Sequence, residues 1–160
     1  MIEQVTIRAV TPAGTAVTFE LLGEDTLSGG VGGWESLDRP RRAAAAGWVG
    51  TPPAQLTLPL LLDGRERQVG VDVAIERQIR IVESWGVRTK ETGRPPILQV
   101  TGPLLVGPGS RWVVDDIAYG SRERNPDGRR VSQEITVVLL RYVAPATVRS
   151  PAAAARDRQR

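Results

Sequence analysis

Residues 111–143, RWVVDDIAYGSRERNPDGRRVSQEITVVLLRYV, decide the fold of this chain. Both ends of the stretch are rich in Val, Ile, Leu, Tyr and Trp, residues that suit a pleated, half-buried strand. Between them stands Asn125-Pro126-Asp127-Gly128, in which Pro presets φ at the first corner and Gly accepts the left-handed position. The reading is one long β-hairpin, with strands over Arg111–Tyr119 and Arg129–Val143.

Working back from this hairpin, Ile97–Gly102 reads as a strand, Pro103–Ser110 as a connector and Val87–Pro96 as a polar loop. One amphipathic helix is expected over Val71–Trp85, because Val71, Ile75, Ile79 and Val82 recur on a single face. Ala74, Gln78, Ile81 and Trp85 flank that face, and Glu76, Arg77, Arg80 and Glu83 lie opposite. Asp72 suits the positive end of the helix dipole, and Gly86 stands where a left-handed cap would end the helix. Ala54–Leu62 is a strongly apolar strand closed by the turn Asp63-Gly64, and Pro59 within it argues for an edge or a bulge. At the N-terminal end, Gln4–Val10 and Thr15–Leu22 form a hairpin around Pro12-Ala13-Gly14.

Residues 23–53 read as an irregular loop. Ser28-Gly29-Gly30-Val31-Gly32-Gly33 is too flexible for a regular element, and a short helix is expected over Arg41–Ala46, stopped by Gly47. After Pro145 the sequence decays to Ala, Pro and Arg. The expected organisation is a domain over residues 1–145 and a flexible basic tail over 146–160. The fold class is mainly β with one α-helix (α+β), as an antiparallel β-sandwich or half-barrel with a flanking helix.

Composition narrows the chemistry. The chain has 160 residues, 41% of them hydrophobic, with neither Cys nor His. That leaves no thiol nucleophile, imidazole base, disulfide or zinc-finger spacing, so catalytic residues, metal ligands and cofactors are all expected to be none. An oxygen-only metal site or a carboxylate-based hydrolase stays open on composition. No apolar run approaches the roughly 20 residues that span a bilayer, and Met1–Val10 alternates charged with apolar residues instead of forming a secretory segment. A soluble protein made in a cytoplasm, with no membrane partner and no small-molecule substrate, is the expectation. The net charge of +3 comes almost wholly from Arg, Lys90 being the single lysine. Much of it lies in Arg156, Arg158 and Arg160.

Candidate motifs are weighed by what their chemistry requires. The loop Gly29–Gly33 lacks the preceding strand, following helix and Lys of a phosphate loop, so it reads as a hinge or interface loop. Asp115 and Asp116 are neighbours on a strand and should point to opposite faces, which favours ion pairing with Arg over joint catalysis. Arg39, Arg41 and Arg42 stand beside Glu35 and Asp38, while Arg122, Arg124, Arg129 and Arg130 stand beside Glu123 and Asp127. Mixed signs at that density suit pairing between subunits more than contact with nucleic acid. Trp85 and Trp112 are expected in the core. Trp34 and Trp48, flanked by Gly, either pin the loop to the core or anchor it in a partner. The interface candidates are therefore Trp34, Glu35, Asp38, Arg39, Arg41, Arg42, Trp48, Arg122, Arg124, Asp127, Arg129 and Arg130.

Several stretches together resemble a family: GGWESLDRPRR (32–42), Trp48-Val49-Gly50, LTLPLLLDG (56–64), PILQVTG (96–102), RWVVDDI (111–117), DGRR (127–130) and VVLLRYV (137–143). They look like the N-terminal domain of the LysM-type tail and baseplate proteins of long-tailed phages and contractile injection systems. The resemblance covers residues 3–143. It implies a tail-tube-like β-sandwich near the distal end of the tube, joining tail tube or tube initiator to baseplate hub and spike proteins. It also implies a homo-oligomeric ring, six-fold by resemblance, located in the virion tail or injection particle and assembled in the bacterial host cytoplasm. Such proteins continue into a peptidoglycan-binding LysM module, whereas this chain ends in Ala152–Ala155 and a basic tail, so glycan binding is not expected. The resemblance carries over no catalytic residues. Two rivals stand beside this reading: a nucleic-acid or polyanion-binding module using the Arg clusters, and a carboxylate hydrolase using Asp115, Asp116 or Glu134.

Overall fold

The computed structural model describes residues 2–65 and 75–144. The expected helix positions Val71, Asp72 and Ala74, and the expected tail, lie outside the described residues.

Among the described residues, nine strands and one helix follow in the order β1 (Gln4–Thr11), β2 (Val17–Leu21), β3 (Thr26–Ser28), β4 (Trp34–Arg39), β5 (Arg42–Trp48), β6 (Gln55–Asp63), α1 (Glu76–Ser84), β7 (Ile97–Thr101), β8 (Arg111–Arg124) and β9 (Arg130–Tyr142). The protein is mainly β with a single short helix among the described residues, and every strand pairing is antiparallel. Strands run β2-β1-β7-β8-β9-β6-β3 across the main sheet, and β2 also pairs with β6 through Glu20↔Leu61 and Leu21↔Leu60. That last pairing closes the sheet. Six strands make a barrel with β3 added outside β6, a more closed arrangement than the expected sandwich or half-barrel, and one that leaves fewer free edges.

Alternation fills the interior. Val5, Ile7 and Ala9 of β1, Leu56, Leu58, Leu60 and Leu62 of β6, and Ile135, Val137 and Leu139 of β9 are buried. Their neighbours face outward, where Thr6 meets Thr18 at 3.1 Å and Arg8 donates to Gln99 at 2.8 Å. Each fully buried Leu, Ile or Val contributes roughly 1.5–3 kcal/mol of transfer free energy, so this alternation sets register as well as stability.

Pro59 lies on an inner strand, opposite Thr136 of β9, and not on an edge. Its carbonyl accepts the Leu22 N–H at 2.9 Å, on the side facing away from β9. A residue's N–H and C=O share a side in a strand, so the missing donor of Pro59 faces the gap between the pairings of β2 and β3. A proline is tolerated there because no partner strand asks for its proton.

The helix lies on the barrel through Ile75, Ile79, Val82 and Trp85, all buried. Trp85 meets Phe19 of β2 edge-on, with ring centroids 6.3 Å apart. The Ile75 N–H donates to the Arg130 carbonyl at 3.2 Å, which docks the start of the helix on β9. Gly86 does not adopt the expected left-handed cap; the helix closes through N–H groups of Trp85 and Gly86 on the carbonyls of Val82 and Glu83.

Residues 23–53 differ most from expectation. They hold strand β3 and a complete hairpin, β4–β5, in place of irregular chain with a helix over 41–46. Arg41–Ala46 has good helix formers, but a six-residue helix is marginal alone, and ladder pairing of β5 with Trp34–Arg39 satisfies the same backbone groups. The tip turns through Pro40 and Arg41, the latter at φ 59, where left-handed backbone favours Gly.

Candidate functional site

The β4–β5 hairpin forms a two-stranded sheet of its own, paired with no other strand among the described residues. Its residues are almost all exposed, so it stands off the barrel as an arm about 20 Å long at strand rise. Its neck is built by glycine. The Val49 N–H donates to the Gly33 carbonyl at 2.7 Å, and the Gly30 N–H to the Pro52 carbonyl at 3.2 Å. Gly33 sits at φ 93, and a Cβ there would run into the Gly50 carbonyl. The run of glycines is thus explained by close crossing of two backbone legs rather than by phosphate binding.

Trp34 and Trp48 are directly opposed across the arm and share one face. They are 66% and 60% exposed, and Trp48 Nε1 donates to the Gly32 carbonyl at 3.2 Å. They do not pin the segment to the core. Leu37, on the other face, folds over Gly47 so closely that a Cβ there would collide with it. Trp85 and Trp112, in contrast, are buried as expected. Large exposed aromatics on a projecting element are the usual mark of a surface that meets a partner.

The structure places the charged candidates in two groups. Glu35, Asp38, Arg39, Arg41 and Arg42 are exposed along the arm and at its tip, where Arg39 Nε donates to the Ala43 carbonyl at 3.1 Å. Arg122, Arg124, Asp127 and Arg129 are exposed around the far end of the β8–β9 hairpin. There Gly128 takes φ 81 and its N–H returns to the Asn125 carbonyl at 2.9 Å, as the turn chemistry predicts. Strand β8 runs on to Arg124, five residues beyond the expected end at Tyr119.

Arg130 differs from the other charged candidates in being half-buried and ion-paired among the described residues. Its Nε and Nη2 donate to Glu76 Oε1 and Oε2 at 2.9 and 2.8 Å, a bidentate pair. The guanidinium holds the Glu76 carboxyl down at about 2, chiefly by this hydrogen bonding, with partial burial acting in the opposite sense. The same pairing raises the Arg130 pKa further. Tyr119 donates to Glu83 Oε1 at 3.1 Å, and burial first, then this carboxylate, pushes the phenol up to about 12. Two polar contacts therefore tie α1 to the β8–β9 hairpin.

Sequence reasoning missed Gln133, which is fully buried on β9. Register slips between Tyr119 and Arg122, leaving Gly120 and Ser121 in a bulge. Gln133 Nε2 fills that bulge, donating to the carbonyls of Gly120 at 3.1 Å and Glu134 at 2.9 Å, while its Oε1 accepts from Arg130 at 3.3 Å. An isolated Gln in an alternating apolar strand was the available signal.

Asp115 and Asp116 also depart from expectation. Asp115 is an extra residue between Val114↔Leu139 and Asp116↔Val138, so strict alternation breaks at this step and both side chains are exposed. Neither carboxylate has an ion-pair partner among the described residues.

No family model and no curated protein matches the chain. Among the described residues, no three Asp or Glu side chains gather to hold a metal ion. One surface depression, between the β1–β2 turn and α1, is lined by Ala9, Pro12, Thr15, Ile81, Ser84 and Trp85. Ser84 Oγ there donates to the Ile81 carbonyl, and no carboxylate lines the depression to act as its base. What the molecule offers is an aromatic arm, an extended hairpin and charges of both signs.

Proposed function

We propose that this chain is a structural component of a phage tail or contractile injection particle. In this reading it is an adaptor at the junction of tube and baseplate that forms a ring, six-fold by resemblance, and links tail tube or tube initiator to hub or spike. It acts by docking and performs no catalysis. The observation that carries the reading is the β4–β5 arm, which holds Trp34 and Trp48 away from the barrel in solvent. A free two-stranded hairpin is marginal in water, and two exposed tryptophans add a desolvation gain that only a partner can realise. The closed barrel supports the reading as a rigid, tube-like base from which an arm and a long hairpin reach neighbours. The sequence stretches quoted above supply the resemblance to tail and baseplate proteins.

Mass spectrometry of purified tail particles, combined with negative-stain imaging of the isolated protein, tests this. The expected result is the chain in ring-like copy number within particles. Its absence from tail particles would sink the proposal.

A polyanion-binding reading is favoured by one observation: arginines stand exposed at both hairpin tips, Arg39, Arg41 and Arg42 at one and Arg122, Arg124 and Arg129 at the other. Affinity for duplex or single-stranded nucleic acid that falls steeply with salt would support it, and salt-independent affinity would dismiss it.

A further inference from the structure

The barrel is uneven at one seam. Strand β8 pairs with β9 along nearly its whole length, but with β7 only at Leu98↔Trp112 and Gln99↔Arg111. Pro95-Pro96 precedes β7 and has no N–H groups with which to extend the ladder. From Val113 to Arg124, about 40 Å of strand at the usual rise, the second edge of β8 has no backbone partner among the described residues. Asp115, Asp116 and the whole of Ala118–Arg124 are exposed along it. An open edge of this length is a template for another strand.

The arm is the second unpaired element, since the outer edges of β4 and β5 are both free among the described residues. Its tip carries Arg39, Arg41 and Arg42 against the single acid Asp38. Among the described residues, no ion pair engages these three arginines, and none engages Asp115 or Asp116. A basic tip and an acidic step, neither ion-paired among the described residues, are complementary between copies.

We propose that the β4–β5 arm of one copy adds to the open β8 edge of a second copy, with Arg39, Arg41 and Arg42 facing Asp115 and Asp116. The direction follows from the seam. Toward β7 the edge is already paired, so an arm whose tip sits at Asp115–Asp116 must run toward Arg124. Six residues back along the arm from its tip stands the Trp34–Trp48 pair, and six residues along β8 from Asp116 stands Arg122. The tryptophans thus come level with a guanidinium that has no partner among the described residues, a pairing that adds a cation–π contribution. The contact is heterologous: each copy gives an arm and receives one. Such contacts close into a ring when the rotation allows and otherwise run on as a filament. This inference deepens the ring reading and rests on it for the identity of the assembly.

The test uses two charge-reversed full-length proteins: an arm variant, Arg41→Glu with Arg42→Glu, and an edge variant, Asp115→Arg with Asp116→Arg. All four positions are exposed, so unchanged circular dichroism and thermal midpoints are expected for both. Sedimentation and native mass spectrometry should find the parent protein self-associated. Each variant alone should show a dissociation constant raised about tenfold or more by like charges. Mixed in equal amounts, the two should reassemble, because a Glu arm meets an Arg edge and an Arg arm meets an Asp edge. Variants that associate as well as the parent would overturn the inference while leaving a ring built on another surface intact. A mixture that stays dissociated, or a parent that is monomeric at high concentration, would also overturn it. The tail assignment is read independently from the composition of tail particles.

Discussion

Replacing Glu76 by Gln removes one charge from the link between helix and hairpin while keeping the size of the side chain. In the parent, the carboxyl is held from its ordinary 4.5 down to about 2 by Arg130. At about 1.4 kcal/mol per pKa unit, the gross effect is on the order of 3 kcal/mol. Glu76 is 36% exposed and Arg130 21%, so solvent screens the pair, and roughly 1–1.5 kcal/mol should survive. A depressed carboxyl binds its proton less readily in the folded state than in the unfolded one. The stabilisation is therefore complete above 4.5 and disappears as pH falls through about 2. Equilibrium urea unfolding of parent and Glu76→Gln across that range measures it. The parent should be the more stable by about 1–1.5 kcal/mol near neutral pH, the gap closing toward pH 2 and shrinking with salt. A gap that stays constant with pH would refute the account, since the loss would then come from packing and not from the charge.

Gly33→Ala should disrupt the arm's neck, because φ 93 disfavours Ala and its Cβ would collide with the Gly50 carbonyl. Hydrogen exchange should quicken in β4 and β5 by tenfold or more, for a local cost of about 2 kcal/mol, while barrel strands keep their protection. Gln133→Leu should cost about 2–3 kcal/mol in urea unfolding, because the carbonyls of Gly120 and Glu134 lose a buried donor; a loss under about 0.5 kcal/mol would mean that the bulge does not need it. In ultraviolet titration, the difference between parent and Tyr119→Phe should show one phenol ionising near 12. Because that folded-state value is raised, the Tyr119 contribution is present below 10 and lost as pH rises through about 12.

Much of the barrel was legible in the sequence because its signals are local. The alternation of Val5, Ile7 and Ala9 and the apolar positions of β6 and β9 specify strands with one buried face, whatever they pair with. The turn at Asn125–Gly128 and the Ile75–Ile79–Val82 stripe carry their geometry in a few adjacent residues. Residues 34–48 were misread because their ladder pairs short polar and Ala-rich segments, Ser36 with Ala46 and Leu37 with Ala45. No residue there is buried and only Ala45 and Gly47 are partly so, which leaves no apolar alternation to mark the strands. Of the candidate site, residue types alone pointed to Trp34, Trp48 and the arm arginines, whereas the internal engagement of Arg130 by Glu76 joins residues 54 positions apart.

The amino-acid sequence by itself determined that this is a strand-rich chain with one amphipathic helix and without thiol or imidazole chemistry, since periodicity and composition need no partner to be read. The tertiary structure alone decided that the sheet closes between β2 and β6, that the glycine-necked hairpin forms a sheet of its own, and that β8 keeps an edge unpaired among the described residues. Those are facts of pairing between distant segments, and a strand's sequence encodes which face is buried far more strongly than which neighbour takes its hydrogen bonds.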